Sequence, residues 1–193
     1  MDAESLILGH GINRISDACF NGCSSLAELV IPENINIIER QAFWGCSSLS
    51  SVLIPNTVGT IEEMAFSECT NLKSVIIDDG DMTLMMGGPL DYDDDYCLVF
   101  YRCPLENLYL GRNLEFIYDY PWILQPTNLK SVQFGDNVTT IPFRFCGGAQ
   151  LLEDVIFGTS LREINMEAFS GCHSVKEIEF PNSLEMILSL IHI

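Results

Sequence analysis

The residues best suited to chemistry lie within Asp78 to Tyr96, DDGDMTLMMGGPLDYDDDY, which carries the aspartates Asp78, Asp79, Asp81, Asp91, Asp93, Asp94 and Asp95. The run Asp91-Tyr92-Asp93-Asp94-Asp95 could offer carboxylate oxygens to Ca²⁺, which takes about six to eight of them. It lacks the D-x-D-x-D-G order closed by a glutamate that a calcium loop uses, so it reads as a solvated acidic loop. The histidines are His10, His173 and His192, and none is spaced from another ligand-type residue as in a zinc site. His173 beside Cys172 comes nearest to a Cys/His pair, and it reads as an exposed loop residue next to a structural cysteine. No G-x-S-x-G, phosphate-cradling glycine loop or H-E-x-x-H is present. The expectation is a chain with no catalytic, metal or cofactor site. Asn137-Val138-Thr139 is a glycosylation sequon, meaningful only in a eukaryotic secretory setting.

The eight cysteines suggest a disulfide framework until their spacing is read. Cys23, Cys46 and Cys69 stand 23 residues apart, and Cys172 falls at the same phase, three residues after a phenylalanine. Cysteines placed this way form one internal rung and behave as small buried hydrophobes with free thiols. The elements that position them repeat with the same period. INRISDACFNGCSSLAELVIPEN (12–34), INIIERQAFWGCSSLSSVLIPNT (35–57) and VGTIEEMAFSECTNLKSVIIDDG (58–80) are three copies of one unit. The first leucine of L-x-x-V-x-I-P recurs at Leu26, Leu49, Leu72, Leu105, Leu129, Leu152 and Val175, at intervals of 23, 23, 33, 24, 23 and 23. A fixed period in the twenties means stacked supersecondary units that bury an apolar face only against their neighbours.

Within a unit, Leu49 to Ile54 alternates and is rich in branched aliphatics, so it reads as a strand with Leu49, Val52 and Ile54 inward. Pro32, Pro55 and Pro181 end their strands, because proline cannot donate to a ladder. Ile35 and Ile38 re-enter the core, and Ala42-Phe43 starts a short turn of helix or 3₁₀ that Gly45-Cys46 closes. Phe20, Phe43, Phe66 and Phe169 share a phase, with Val99, Ile123 and Cys146 expected in their place in the irregular units. The ten extra residues of the long interval are expected as an acidic loop, about 78–96, between the third and fourth strands. A second irregular stretch, Tyr118 to Gln125, replaces the usual turn with Tyr118, Tyr120, Pro121 and Trp122.

If the anchor, fourth and sixth positions of each strand face inward, the third and fifth face out. The third position is mostly small and polar: Ser5, Glu28, Ser51, Ser74, Asn107, Ser131, Asp154 and Glu177. The fifth reads Ile7, Val30, Leu53, Ile76, Tyr109, Gln133, Ile156 and Glu179. Its apolar run is either a contact stripe or the ordinary preference of branched residues for strands. On the first reading Val30, Leu53, Ile76 and Tyr109 meet a protein partner, and Asp91, Asp93, Asp94 and Asp95 give the stripe an acidic flank.

Bulk properties narrow the classes. A net charge of −18 with nine Lys and Arg argues against nucleic acid and against docking on an anionic membrane. There is no run of about 18 apolar residues, so no membrane insertion is expected. The opening MDAESLILGHG has no basic region before its apolar run and does not read as a signal peptide.

The unit I-x-x-x-A-F-x-G-C-x-x-L-x-x-V-x-I-P-x-x-V resembles the BspA-like leucine-rich repeats, also called the Treponema pallidum type. ISDACFNGCSSLAELVIPENI, IERQAFWGCSSLSSVLIPNTV and INMEAFSGCHSVKEIEFPNSL carry the resemblance, which extends over about residues 5–188. It implies an α/β repeat protein: a right-handed, curved leucine-rich-repeat solenoid with a parallel β-sheet on the concave face and short helical or 3₁₀ turns opposite. It also implies an exported or cell-surface bacterial protein, non-enzymatic, that serves adhesion or other protein recognition, with a host surface or matrix protein as a partner. The units at Leu105 and Leu129 lose A-F and G-C and depart from the pattern. The chain is expected as one domain, 1–193, with truncated repeats at 1–11 and at the C-terminus and full repeats over 12–188. Uncapped ends of this kind imply end-to-end self-association. The alternative is a structural spacer in a larger surface protein, with no ligand of its own.

Overall fold

A short alternating segment satisfies its backbone only by pairing with neighbours, and the 23-residue period supplies one at the same phase in every coil. The computed structural model, which describes residues 3–87, 98–116 and 128–188, sets these segments side by side. Its first strands are β1 (Ser5–Ile7), β2 (Arg14–Ile15), β3 (Glu28–Val30), β4 (Ile37–Ile38), β5 (Ser51–Ile54), β6 (Thr60–Ile61), β7 (Ser74–Ile77) and β8 (Leu84–Met86). After them come β9 (Asn107–Arg112), β10 (Leu114–Phe116), β11 (Ser131–Asn137), β12 (Thr140–Ile141), β13 (Asp154–Ile156), β14 (Glu163–Ile164) and β15 (Met186–Ile187).

Every pairing is parallel. The main row holds β5-β7-β9-β11-β13 in one sheet, with β1 paired to β3 alongside; the second row holds β2-β4-β6-β8-β10 and then β12-β14-β15. The anchor phase survives the long interval, since Val75 pairs with Leu108 and Ile76 with Tyr109. Between β10 and β12 a side chain replaces the backbone: Asn113 Oδ1 accepts from the Thr139 and Thr140 amides at 2.9 and 3.2 Å. The inward positions form one core from Ile15 to Val175, with Leu49, Val52 and Ile54 buried as their alternation requires.

The turns differ from expectation. Among the described residues there is no helix, α or 3₁₀. Five turns instead hold two residues in the left-handed region, four apart: Ala18 and Gly22, Gln41 and Gly45, Met64 and Glu68, Arg144 and Gly148, Glu167 and Gly171, with φ between 50° and 82°; the turn at Phe100 has Arg102 there, at 56°. A helical turn cannot contain that conformation, which costs a non-glycine residue about 1–2 kcal/mol. In return alternate amides point along the stack: Gln41 donates to Glu63 O at 3.2 Å, Phe43 to Ala65 O at 2.8 Å and Gly45 to Ser67 O at 2.8 Å.

Phenylalanines fill the turn from within. Phe20, Phe43, Phe66 and Phe100 stack with ring centroids 5.4, 5.2 and 5.6 Å apart. The fourth place thus belongs to Phe100 and not to Val99, because one residue fewer separates Cys103 from Leu105 than Cys69 from Leu72. Cys146 does hold the phenylalanine place in its coil: its amide donates to Ala168 O at 2.7 Å, as that of Phe43 does to Ala65 O. Ile123 lies outside the described residues. A second aromatic ladder takes over at the strand ends, with Phe134 on Phe157 and Phe157 on Phe180, each at 5.6 Å.

The seven described cysteines are free thiols, and Cys103 joins the buried column. Four of them reach back to the preceding coil: Cys46 Sγ donates to Phe20 O at 3.4 Å, Cys69 to Phe43 O at 3.2 Å, Cys103 to Phe66 O at 3.0 Å and Cys172 to Cys146 O at 3.2 Å. Burial, with neighbouring thiols adding to it, pushes Cys46 up to about 12, and burial pushes Cys172 up to about 11. Cys146 is raised by burial too.

The extra residues are not one loop between two main-row strands. Leu84–Met86, inside the expected loop, is a second-row strand, with Thr60 paired to Met85 and Ile61 to Met86. Ile77 and Met86 are nine apart where Ile54 and Ile61 are seven, so two extra residues precede β8. Most of the rest fall between Met86 and Phe100, and residues 88–97 lie outside those described. Near Asp78 and Gly80 lies Arg112, which is 0% exposed. Its guanidinium donates to Asn56 O at 2.9 Å and Pro55 O at 3.0 Å, two coils away. Burial lowers the Arg112 pKa, and Asp78 opposes the shift.

Arg112→Ala should destabilise the chain by about 3 kcal/mol, leaving a cavity and two carbonyls without their donor, whereas Arg112→Met should cost far less. Urea midpoints of the two variants check this. The thiols give a pH signature. The folded chain holds protons that the unfolded chain releases above the ordinary thiol value of 9.0, so stability present below pH 9 falls as pH rises toward about 12. Urea midpoints at pH 8 and pH 10.5 should show the loss, and Cys46→Ala should make it smaller.

Candidate protein-contact surface

The exposed face of the main row follows from the period-two alternation of each strand. At the third position Glu28, Ser51, Asn107, Asp154 and Glu177 are exposed and Ser74 and Ser131 half-buried. At the fifth, Ile7 is 77% exposed, Val30 54%, Leu53 46%, Ile76 40% and Ile156 53%, all large apolar side chains in water. The pairings Ile7–Val30, Leu53–Ile76 and Ile76–Tyr109 put them in line, one per coil and about 4.8 Å apart. The sequence thus places Val30, Leu53, Ile76 and Tyr109 on one face, and the fold brings them together.

Tyr109 departs from its neighbours. It is half-buried, and its hydroxyl lies 2.8 and 3.0 Å from the two carboxylate oxygens of Asp79. Burial, then this bond, pushes its pKa up to about 12. Beside it, Asn137 Nδ2 donates to Asp81 Oδ1 at 2.8 Å and Asn56 Nδ2 to Asp79 O at 3.0 Å. The base of the acidic segment is therefore tied to the strand ends of neighbouring coils, and the sequon asparagine is already engaged. The cause is a change at the seventh position, where Pro32 and Pro55 give way to Asp78, Gly111, Gly135 and Gly158. Without proline, β9 and β11 run on to Arg112 and Asn137. A Cβ at Gly135 would lie 2.5 Å from Asp79 Oδ1 and 2.7 Å from Tyr109 Oη, so the glycine admits the pair. Sequence reasoning missed the Tyr109–Asp79 bond; the replacement of proline by glycine was the signal. Asp91, Asp93, Asp94 and Asp95, the expected acidic flank, lie outside the described residues, as do Tyr118, Tyr120 and Trp122.

The charge on this surface is set by where the cations go. Seven of the nine Lys and Arg are in ion pairs between adjacent coils: Arg14–Glu39, Arg40–Glu63, Lys73–Glu106, Arg102–Glu68, Lys130–Glu106, Arg144–Glu167 and Arg162–Glu185. Glu106 takes Lys130 and Lys73 together at 2.7 and 3.0 Å, which lowers its pKa, the bond to Lys130 contributing most. Arg112 is buried. Most of the other described acids are exposed and outside these ion pairs. Among the described residues no three His, Cys, Asp or Glu converge on a point where they could hold a metal ion, and no helix is long and apolar enough to cross a membrane.

Similar structures give the same architecture. A leucine-rich repeat protein of Treponema pallidum superposes with a TM-score of 0.65 at 19% identity, over 92% of this chain and 80% of that one. A leucine-rich repeat protein of Bacteroides ovatus gives 0.56 at 23% identity, over 96% of this chain and 51% of that one. One from Eubacterium ventriosum gives 0.55 at 19%, over 97% and 41%. The chain thus spans about half or less of the last two. No curated protein matches it. The model of the BspA type leucine-rich repeat region matches residues 2–85 and 95–191 in six copies. With nearly every coil in that match, the chain belongs to the BspA-type leucine-rich repeat family.

Proposed function

We propose that this chain is a non-enzymatic protein-recognition or adhesion module of a surface or secreted protein, and that it binds through the exposed face of its main row. The observation that carries this is the line of Ile7, Val30, Leu53 and Ile76, each large, apolar and exposed on successive coils. A solvated sheet face has no use for such a line, whereas contact surfaces do. Tyr109 supports the reading as a rigid amphipathic side chain at the edge of the stripe, a residue type enriched where proteins meet. The bond to Asp79 fixes its ring before any partner arrives. Asp78, Asp79 and Asp81 put carboxylates beside it, so the partner is apolar where it meets the stripe and basic at that edge. The location rests on the family resemblance.

The test uses the whole chain immobilised on beads and presented to purified extracellular matrix and host-surface proteins. Saturable binding is expected for at least one of them, and Leu53→Ser with Ile76→Ser should weaken it roughly thirtyfold. The variant's melting temperature should stay close to that of the parent, since both side chains already face water. Equal binding by parent and variant, or none by the parent, would leave the spacer role as the better account.

A further inference from the structure

One position beyond the seventh, counted from the anchor, the coils read Glu33, Asn56, Asp79, Arg112, Asp136, Thr159 and Asn182. Neighbours at this eighth position bond from coil to coil where their types allow it. Asn56 Nδ2 donates to Asp79 O at 3.0 Å, and Thr159 donates to Asp136 Oδ1 from its amide at 2.7 Å and its hydroxyl at 2.9 Å. Arg112 leaves the series. Its side chain is 0% exposed and donates to the Pro55 and Asn56 carbonyls, two coils back. The Asp79 carboxylate is left to Tyr109, whose hydroxyl lies 2.8 and 3.0 Å from its two oxygens.

Asn56 therefore stands at the root of a short relay. Arg112 holds its backbone carbonyl, its side-chain amide holds Asp79 by the backbone, and the Asp79 carboxylate takes the Tyr109 proton. A phenol has one proton to donate and lone pairs to accept with. With that proton committed to Asp79, the phenolic oxygen can only accept from a partner. Donation to a carboxylate also polarises the hydroxyl and makes its oxygen the stronger acceptor. The bond lies at the exposed surface, beside Ile76, which pairs in register with Tyr109.

We infer that Asn56 is a positioning residue for recognition: through Asp79 it keeps the Tyr109 proton turned to the protein's own carboxylate, so that the phenolic oxygen accepts a hydrogen bond from an N–H or O–H donor of the protein partner. This rests on the strand-face reading above and adds to it the chemistry required at the end of the apolar stripe. A partner carbonyl or carboxylate at that point would set lone pair against lone pair, which discriminates against it. Because the hydroxyl is oriented in the free chain, binding does not have to order it.

The first arm of the test needs no partner. The full chain is labelled with ¹³Cζ-tyrosine, and Tyr109→Phe assigns the Tyr109 signal. Burial, the bond to Asp79 and the nearby Asp136 and Asp78 carboxylates push the Tyr109 phenol up to about 12, so the parent keeps its proton at pH 10.5. Asn56→Ala retains the carbonyl that Arg112 holds and removes only the exposed amide. It should raise the ionised fraction of Tyr109 at pH 10.5 roughly fivefold, with circular dichroism unchanged at that pH. Asp79→Ala should raise the fraction further, and adding Asn56→Ala to it should change nothing more, since the effect passes through Asp79. A parent-like profile in Asn56→Ala, or additive effects in the double variant, would overturn the inference.

The second arm uses whichever matrix or host-surface protein the parent chain binds. Asn56→Ala should weaken that binding roughly fivefold and Tyr109→Phe roughly tenfold, the second because the partner's donor is left without an acceptor. If both variants bind as the parent does while Leu53→Ser with Ile76→Ser still weakens binding, the inference fails and the strand-face reading stands. If the parent binds none of the proteins, the strand-face reading fails and takes the recognition role of Asn56 with it.

Discussion

The constraint behind this structure is that alternate backbone amides of each turn must point along the stack, because only the next coil can accept their hydrogen bonds. A helical turn would consume those donors within itself. Two left-handed residues four apart turn the chain while leaving Gln41, Phe43 and Gly45 free to donate to the coil that follows. The conformation is free of steric cost only at glycine, so Gly45 is easy to explain and Gln41 is not. Gln41 and its equivalent Arg144 are held there by bonds to the next coil, donating to Glu63 O and Met166 O. The cysteine rung follows from the same geometry. The position is small and buried, and it faces a carbonyl of the preceding coil that a thiol can reach at 3.0–3.4 Å.

The same constraint determines how an irregular coil is tolerated. Ten extra residues cannot sit inside a closed stack unless each amide they displace finds another acceptor. Side chains take over backbone roles around the irregular coils: the Arg112 guanidinium reaches past the inserted coil to Pro55 O and Asn56 O, and in the following coil Asn113 Oδ1 accepts the Thr139 and Thr140 amides. A buried guanidinium is a poor way to gain stability, since the loss of its hydration offsets the hydrogen bonds it makes. What it contributes here is position. It fixes the carbonyls of Pro55 and Asn56, and the Asn56 side chain in turn bonds Asp79 O, beside the carboxylate that meets Tyr109. The insertion thus begins on a fixed base.

Strand phase was legible in the sequence because alternation and β-branching reflect burial directly, and burial is what the stack requires. Leu49, Val52 and Ile54 point inward for the reason their pattern suggests, and Leu53 and Ile76 point out. The turn was not legible, because residue type reports poorly on backbone conformation wherever tertiary bonds override it. Gln41-Ala42-Phe43 reads as the start of a helix. Phe100 was hidden by a one-residue deletion in the coil that also carries the insertion, so counting back from Leu105 reached Val99. The Tyr109–Asp79 pair was out of reach for a different reason. It joins two coils across the irregular interval, and only the replacement of proline by glycine at the seventh position hints at so close an approach. The aspartates from Asp91 to Asp95 stay a property of the sequence alone.

Charge and stacking are linked through the same 23-residue step. A cation and an acid one coil apart stand side by side, so Arg14–Glu39, Arg40–Glu63 and Arg162–Glu185 are almost forced by the repeat once the residue types are given. Such exposed pairs add little stability, about 0–1 kcal/mol each. Their larger effect is on what is left over. With seven cations paired between coils and an eighth buried, most of the acids behind the net charge of −18 stand outside those ion pairs. A chain that pairs its cations between its own coils keeps few of them for its surface, so the surface field is negative.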